Sequence, residues 1–236
     1  MTITTTTTSN NVQLNNDWTH IAMLIDRSGS MGSLNPQNTS KQLTDFIRDQ
    51  TGGKVTVTAA RFDNEYEVFI KNKSAIDLTI TAADIEPRNT TALYESFCKL
   101  IDQVGNDLST MESERPGKIV FVVLTDGEEN ASTGKYTGES GRKLLMNKIT
   151  HQKEVYNWVF FFMGTNIDAL ATGKKIGIEE ETCINFGADA GRCTQVLKCT
   201  SQKVQHLRSL SQNQMNDKQN MMAHVQFNAT DRTSCQ

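Results

Sequence analysis

The sequence predicts an α/β fold: a mostly parallel central sheet with one antiparallel edge strand and helices on both faces. Three observations carry this expectation. Short, continuously apolar runs recur, "WTHIAMLID", "KIVFVVLTD" and "NWVFFFMG", as expected of strands covered on both faces. Longer stretches with apolar residues at helical spacing lie between them. One further pair of runs, "KVTVTAARF" and "EYEVFIKN", is separated only by Asp63-Asn64, a tight turn that makes an antiparallel hairpin. Strands that alternate with helices build a parallel sheet through right-handed crossovers.

In chain order, residues 1–16 form a Thr/Asn tract with almost nothing to bury, which reads as a flexible arm or a docking strand. The domain spans 17–210. "WTHIAMLID" opens it as a buried strand. "TSKQLTDFIRDQ" then places Leu43, Phe46 and Ile47 at helical spacing, and Gly52-Gly53 stops that helix. The hairpin follows. "TALYESFCKLIDQVGNDL" carries an apolar stripe of Leu93, Phe97, Leu100, Ile101 and Val104 and reads as a helix. "KIVFVVLTD" is the second buried strand, "ESGRKLLMNKITHQKE" a helix, and "NWVFFFMG" the third buried strand. A short helix starts at Asn166-Ile167-Asp168, "ETCINF" is a last, weaker strand, and Ala190 to Leu210 is a helix. Residues 211–236, rich in Gln, Asn and Met without a clean period, read as a flexible tail, or as a partner-binding helix through Met221, Met222 and Val225.

The bulk properties exclude several classes. A formal net charge of -3 and a pI near 5.8 argue against a nucleic-acid partner, which selects for a basic face. No apolar run is long enough for a membrane span, and the first residues lack the basic and apolar regions of a signal peptide. Five cysteines without CxxC spacing read as free, buried thiols rather than a disulfide framework. Sequons at Asn38, Asn89, Asn130 and Asn228 are expected by chance in an Asn- and Thr-rich chain. An intracellular, cytoplasmic setting is therefore expected, with a virion component as the alternative.

Two buried strands end on a carboxylate, Asp26 and Asp126. Ligands of such sheets bind beyond the carboxyl ends of the strands, where strand order reverses. If these two strands flank that point, both acids face one crevice. A dinucleotide is disfavoured because GxGxxG and GxxxxGK[ST] are both absent. After Asp26 come Ser28 and Ser30 at alternate positions, so a tightly turned loop can aim all three inward, with Gly29 and Gly32 letting the backbone bend. Thr91 sits at a helix start. Two converging carboxylates repel unless one is protonated or a cation intervenes. Two acids, three hydroxyls and water suit a hard cation: Mg²⁺ first, Mn²⁺ as a substitute, Ca²⁺ behind both. Zinc would need a Cys/His cluster, and His20, His151, His206 and His224 are scattered.

These residues carry a resemblance. "LIDRSGSMG", "RNTTALYESF" and "VVLTDGEEN" resemble the three loops of a von Willebrand factor A (VWA) domain with its metal-ion-dependent adhesion site (MIDAS). The likeness covers about residues 17–187, extending toward 210, and "TDGEENAS" and "WVFFFMGTNIDA" look like the stand-alone domains of bacteria and viruses. The resemblance implies a Rossmann-like sheet. It implies that Ser28, Ser30 and Thr91 ligate the metal through hydroxyls, that Asp26 and Asp126 act directly or through water, and that the sixth position is left for an acidic side chain of a partner. Arg27, Met31, Arg88, Asn89, Glu128, Glu129 and Asn130 would line the rim. Asn89-Thr90 departs from the glycines that many relatives have there.

The expected function is a metal-dependent protein-interaction module, not an enzyme, whose partner offers Asp or Glu; self-association is open. The alternatives are a structural subunit of a larger assembly or virion, and a Mg²⁺-dependent phosphotransferase of the haloacid-dehalogenase kind. The latter needs a second acid two residues after Asp26, where this chain has Ser28. A serine hydrolase is disfavoured because Ser30 lies outside GxSxG.

Overall fold

The structure is a computed structural model that describes residues 12–50 and 52–236. Its centre is a six-stranded sheet of β1 (Gln13–Asp26), β2 (Lys54–Phe62), β3 (Tyr66–Ser74), β4 (Glu114–Thr125), β5 (Val159–Gly164) and β6 (Cys183–Asn185). The order is β3-β2-β1-β4-β5-β6. All neighbours run parallel except β2 and β3, so the antiparallel member lies at one edge, joined by a turn of three residues, Asp63 to Glu65.

β1 shows why its sequence reads as a continuous apolar run. Ile21, Met23 and Ile25 join the core on one face and Ala22 and Leu24 the core on the other. The first core is covered by α1 (Pro36–Arg48) and α5 (Ala190–Ser209), the second by α2 (Leu93–Ser109), α3 (Gly138–Tyr156) and α4 (Ala169–Lys175). In the second core Phe97, Phe121, Phe160 and Trp158 pack ring on ring, with Phe121 and Phe160 centroids 5.0 Å apart. Local signals fix the ends: Asn35 at φ 58° accepts from Asn38 N to cap α1, and Asp168 and Asp189 cap α4 and α5.

Two expectations are corrected at the termini. Residues 13–16 belong to β1, the strand alternative rather than the flexible arm, with Gln13 to Asn15 paired to Glu114 to Pro116 of β4; residues 1–11 lie outside the described residues. The region 211–236 is not a loose tail. It forms α6 (Gln212–Asn216), α7 (Lys218–Val225) and α8 (Ala229–Cys235), and Met215, Met221, Val225, Phe227 and Cys235 are buried in the α1/α5 core. Met221 and Val225 are thus spent inward rather than offered to a partner. Elements of five to eight residues are too short to display a helical period. The legible signals were the caps Ser211, Asp217 and Asn228, each accepting from a backbone N–H of the turn it starts. No helix among the described residues is long and apolar enough to cross a membrane. All five cysteines are free and buried.

One buried polar group makes stability depend on pH. His20 of β1 is 3% exposed; its Nδ1 lies 2.9 Å from Thr56 Oγ1, which also accepts from Trp18 Nε1. Burial pushes its imidazole down from 6.5 to about 4. The folded state therefore binds fewer protons than the unfolded chain between those values, and the stability present above pH 6.5 is lost as pH falls toward 4. The full loss is about 3 kcal/mol. In urea unfolding from pH 7 to 4, His20→Gln should fall less steeply than the unchanged chain by about that amount. Parallel curves would mean that His20 is already charged in the fold.

Candidate metal centre

Strand order reverses between β1 and β4, which lie side by side with β2 beyond one and β5 beyond the other. β1 ends on Asp26, and Asp126 directly follows β4. Both carboxylates thus open onto the crevice at the switch point. Beyond Asp26 the chain curls into a 3-10 turn over Gly29–Leu34, closed by Met31 N donating to Ser28 O. The curl brings both serine hydroxyls to Asp126. Ser30 Oγ donates to Asp126 Oδ1 at 2.7 Å and Ser28 Oγ at 3.4 Å, and the two hydroxyls are 3.2 Å apart.

The third loop packs against these two. Gly29 N donates to Asn89 O at 3.1 Å, and Asn89 holds φ at 59°. Asparagine is the residue besides glycine that enters this region at modest cost, so the turn keeps the shape that glycines would give. Thr91 is buried. Its backbone is clamped by Asn130, whose Oδ1 accepts from Thr91 N while Asn130 N donates back to Thr91 O. A Cβ on Gly127 would stand 3.0 Å from Thr91 Oγ1, so glycine at 127 is what lets the Asp126 loop lie against the threonine hydroxyl. The structure brings Asp26, Ser28, Ser30, Thr91 and Asp126 to one place.

The electrostatics of that place favour a cation. Asp26 is fully buried, and burial raises its carboxyl to about 6 despite hydrogen bonds from Thr125 and Ser28, with the Asp126 charge adding to the rise. Burial raises Asp126 as well. Asp26 Oδ1 accepts from Ser28 N at 2.7 Å and Oδ2 from Thr125 Oγ1 at 2.6 Å. Asp126 Oδ2, in contrast, is buried with no hydrogen-bond partner. An orphaned carboxylate oxygen beside three hydroxyls fits a hard divalent ion. Among the described residues no group of three or more His, Cys, Asp or Glu could hold a metal, so the set is one in which hydroxyls must serve. Ser30 is exposed while Asp26, Ser28, Thr91 and Asp126 are buried, which leaves the crevice open on the Ser30 side.

The rim differs from the expectation. Arg27 and Met31 are buried: Arg27 turns toward Asp63, and Met31 joins the α1 core. The Glu129 carboxylate accepts from Tyr94 N, Ala131 N, Ser132 N and Ser132 Oγ, so it builds the loop rather than the surface. Arg88, Asn89, Glu128 and Asn130 remain exposed. The sequence reading also missed Thr125, Gly127 and Asp63. For Thr125 a signal existed: a hydroxyl directly before a strand-end aspartate can orient the neighbouring carboxylate.

Comparisons of structure bear on the fold. A von Willebrand factor type A protein from Catenulispora acidiphila superposes with a TM-score of 0.52 at 15% identity, over 82% of this chain and 43% of that one. The fold is that of a von Willebrand factor A domain. The vWF domain of the type V pili tip protein Mfa5 from Porphyromonas gingivalis gives 0.51 at 12% identity, over 82% of this chain and 97% of that one. Proximal thread matrix protein 1 from the mussel byssus, in a structure with a zinc-occupied MIDAS motif, gives 0.50 at 17% identity over 78% and 44%. The chain thus spans under half the length of the first and third of these VWA proteins. No family model and no curated protein matches the sequence.

Proposed function

We propose that this chain is a metal-dependent protein-interaction module rather than an enzyme. It holds Mg²⁺ with Asp26, Ser28, Ser30, Thr91 and Asp126 and offers the open coordination position to an Asp or Glu of a partner. The observation that carries the reading is the unpartnered Asp126 Oδ2, set among hydroxyls of which that of Ser30 belongs to the exposed member of the five residues. The bound ion would supply a Lewis-acidic point for a carboxylate. The chain's own groups orient the donors: Thr125 and Ser28 N fix the Asp26 carboxylate, and Asn130 fixes Thr91. The zinc-occupied motif of the mussel protein supports a divalent ion at such loops, and the pilus-tip neighbour supports an interaction role. The phosphotransferase reading loses support because Ser28 fills the place of the required second acid and donates to Asp126.

Thr91→Ala removes one hydroxyl and one buried methyl. It should weaken capture of a partner by about tenfold or more while the chain still melts cooperatively in EDTA. Changing the partner's contacting Asp to Asn should cost about as much, and the two changes together less than their sum, because both act through one contact. The check is a pull-down in Mg²⁺, eluted with EDTA, followed by affinity measurement on the eluted protein. Binding indifferent to both EDTA and Thr91→Ala would refute the proposal.

A further inference from the structure

We propose that Asp63, in the turn between β2 and β3, is the positioning residue of the metal centre: its buried carboxylate ties together the loop that carries Asp26, Ser28 and Ser30 and the loop that carries Thr91. The inference rests on the metal reading above and adds a residue from a fourth segment, one that contributes no ligand.

Asp63 is fully buried. Its Oδ2 lies 3.2 Å from Arg27 Nε and 2.5 Å from Arg88 Nε. Arg27 stands between two of the proposed ligands, Asp26 and Ser28. Arg88 lies three residues before Thr91, and its N–H donates to Arg27 O at 2.7 Å. The backbone of the turn repeats the tie: Arg27 N donates to Phe62 O at 2.8 Å, and Ala92 N, directly after Thr91, donates to Asp63 O at 2.7 Å. Asp63 Oδ1 is fixed in turn by Glu65 N at 2.7 Å, and Glu65 also pairs with Arg88.

Two consequences follow. The first is geometric: every polar atom of Asp63 is committed, its N–H donating to Glu65 O at 3.0 Å and the others to one of the two loops or to Glu65 N. The separation of the serine hydroxyls from the threonine hydroxyl is therefore set in part from outside the site, beside the direct loop-to-loop bond of Gly29 N to Asn89 O. The second is electrostatic. Arg27 brings a buried positive charge beside a site meant for a cation, and Asp63 cancels it, aided by Glu67 at 3.7 Å from Arg27 Nη2. Without Asp63 the loops lose their common anchor and the cation meets an uncompensated guanidinium.

The test is the Mg²⁺ dissociation constant, measured by calorimetry on the full chain, beside thermal melts in EDTA. Asp63→Asn keeps the shape and removes the charge; it should weaken Mg²⁺ about tenfold or more, the scale of residues that orient metal ligands. Phe227→Ala, which destabilises the fold away from the crevice, should leave the constant unchanged, so that lost stability alone is not mistaken for lost positioning. Arg88→Ala changes a half-exposed side chain and keeps the test decisive should Asp63→Asn not fold; it should weaken Mg²⁺ at least threefold, by roughly 0.6 kcal/mol or more. A folded Asp63→Asn, or in its absence Arg88→Ala, that binds Mg²⁺ with the original constant would overturn the proposal while leaving the metal centre standing. An unchanged chain that binds no Mg²⁺ would instead overturn the metal reading itself.

Discussion

A chain ending at Leu210 should lose its cooperative thermal transition and collect as aggregate, although the sheet and all three metal loops lie upstream. The removed segment covers part of a core. Met215, Met221, Val225, Phe227 and Cys235 are buried against β5, β6 and α5. The Phe227 ring meets Phe161 edge-on at 5.9 Å, and Phe227 N donates to Glu181 O at 2.8 Å. Lys203 of α5 pairs with Asp231 of α8 at 2.8 Å, and Arg232 donates to Cys183 O and Glu180 O. Truncating Phe227 alone to Ala should cost about 3–5 kcal/mol, a large part of the 5–15 kcal/mol typical of a whole domain. For a chain of this size that lowers the melting temperature by roughly 10 °C. Scanning calorimetry on Phe227→Ala and on the shortened chain checks both. A melting temperature within a degree of the original in either would mean that the last helices only rest on the surface.

The same segment marks the limit of what the sequence displays. Strands β1, β4 and β5 are legible because burial on both faces demands unbroken apolar runs, and α2 because a helix of 17 residues repeats its stripe several times. The hairpin is legible from its turn. α6, α7 and α8 pass unread because one or two turns of helix give no period, and Gln- and Asn-rich composition suggests solvent even where Met215, Met221, Val225, Phe227 and Cys235 point inward. The start of β1 is similarly hidden: Gln13 to Asn15 pair with β4, and Asn16 and Asp17 fill the register break that follows, none of them buried, so they carry no apolar signature.

The metal centre divides in the same way. Asp26, Asp126 and the two serines are readable only together: a lone strand-end acid suits a helix cap and a lone Ser-Gly-Ser a turn, but two such acids beside alternate hydroxyls converge on a cation. The rim is not readable, because a polar side chain in a loop gives no sign of whether it faces solvent or the backbone. Glu129 and Asn130 hold loop amides, and Arg27 turns inward to Asp63. Asp63 itself is 37 residues from Asp26 in sequence, and only the parallel pairing of β1 with β2 brings it beside that loop.

The most direct test of the metal centre is the change of melting temperature with Mg²⁺, measured from EDTA to saturation for the unchanged chain, Asp26→Ala, Ser28→Ala-Ser30→Ala and Thr91→Ala. An ion that binds only the folded state adds RT ln(1 + [L]/Kd), about 2.7 kcal/mol at a hundred times the dissociation constant. At this chain length the expected rise is roughly 5–10 °C. Removing the Asp26 carboxylate or the paired serine hydroxyls should abolish it, and Thr91→Ala should reduce it. The variants will differ in EDTA, since Asp26 is a buried acid raised to about 6, so the increment rather than the absolute temperature is the readout. An equal Mg²⁺ increment in all four proteins would place the ion elsewhere and contradict the central claim.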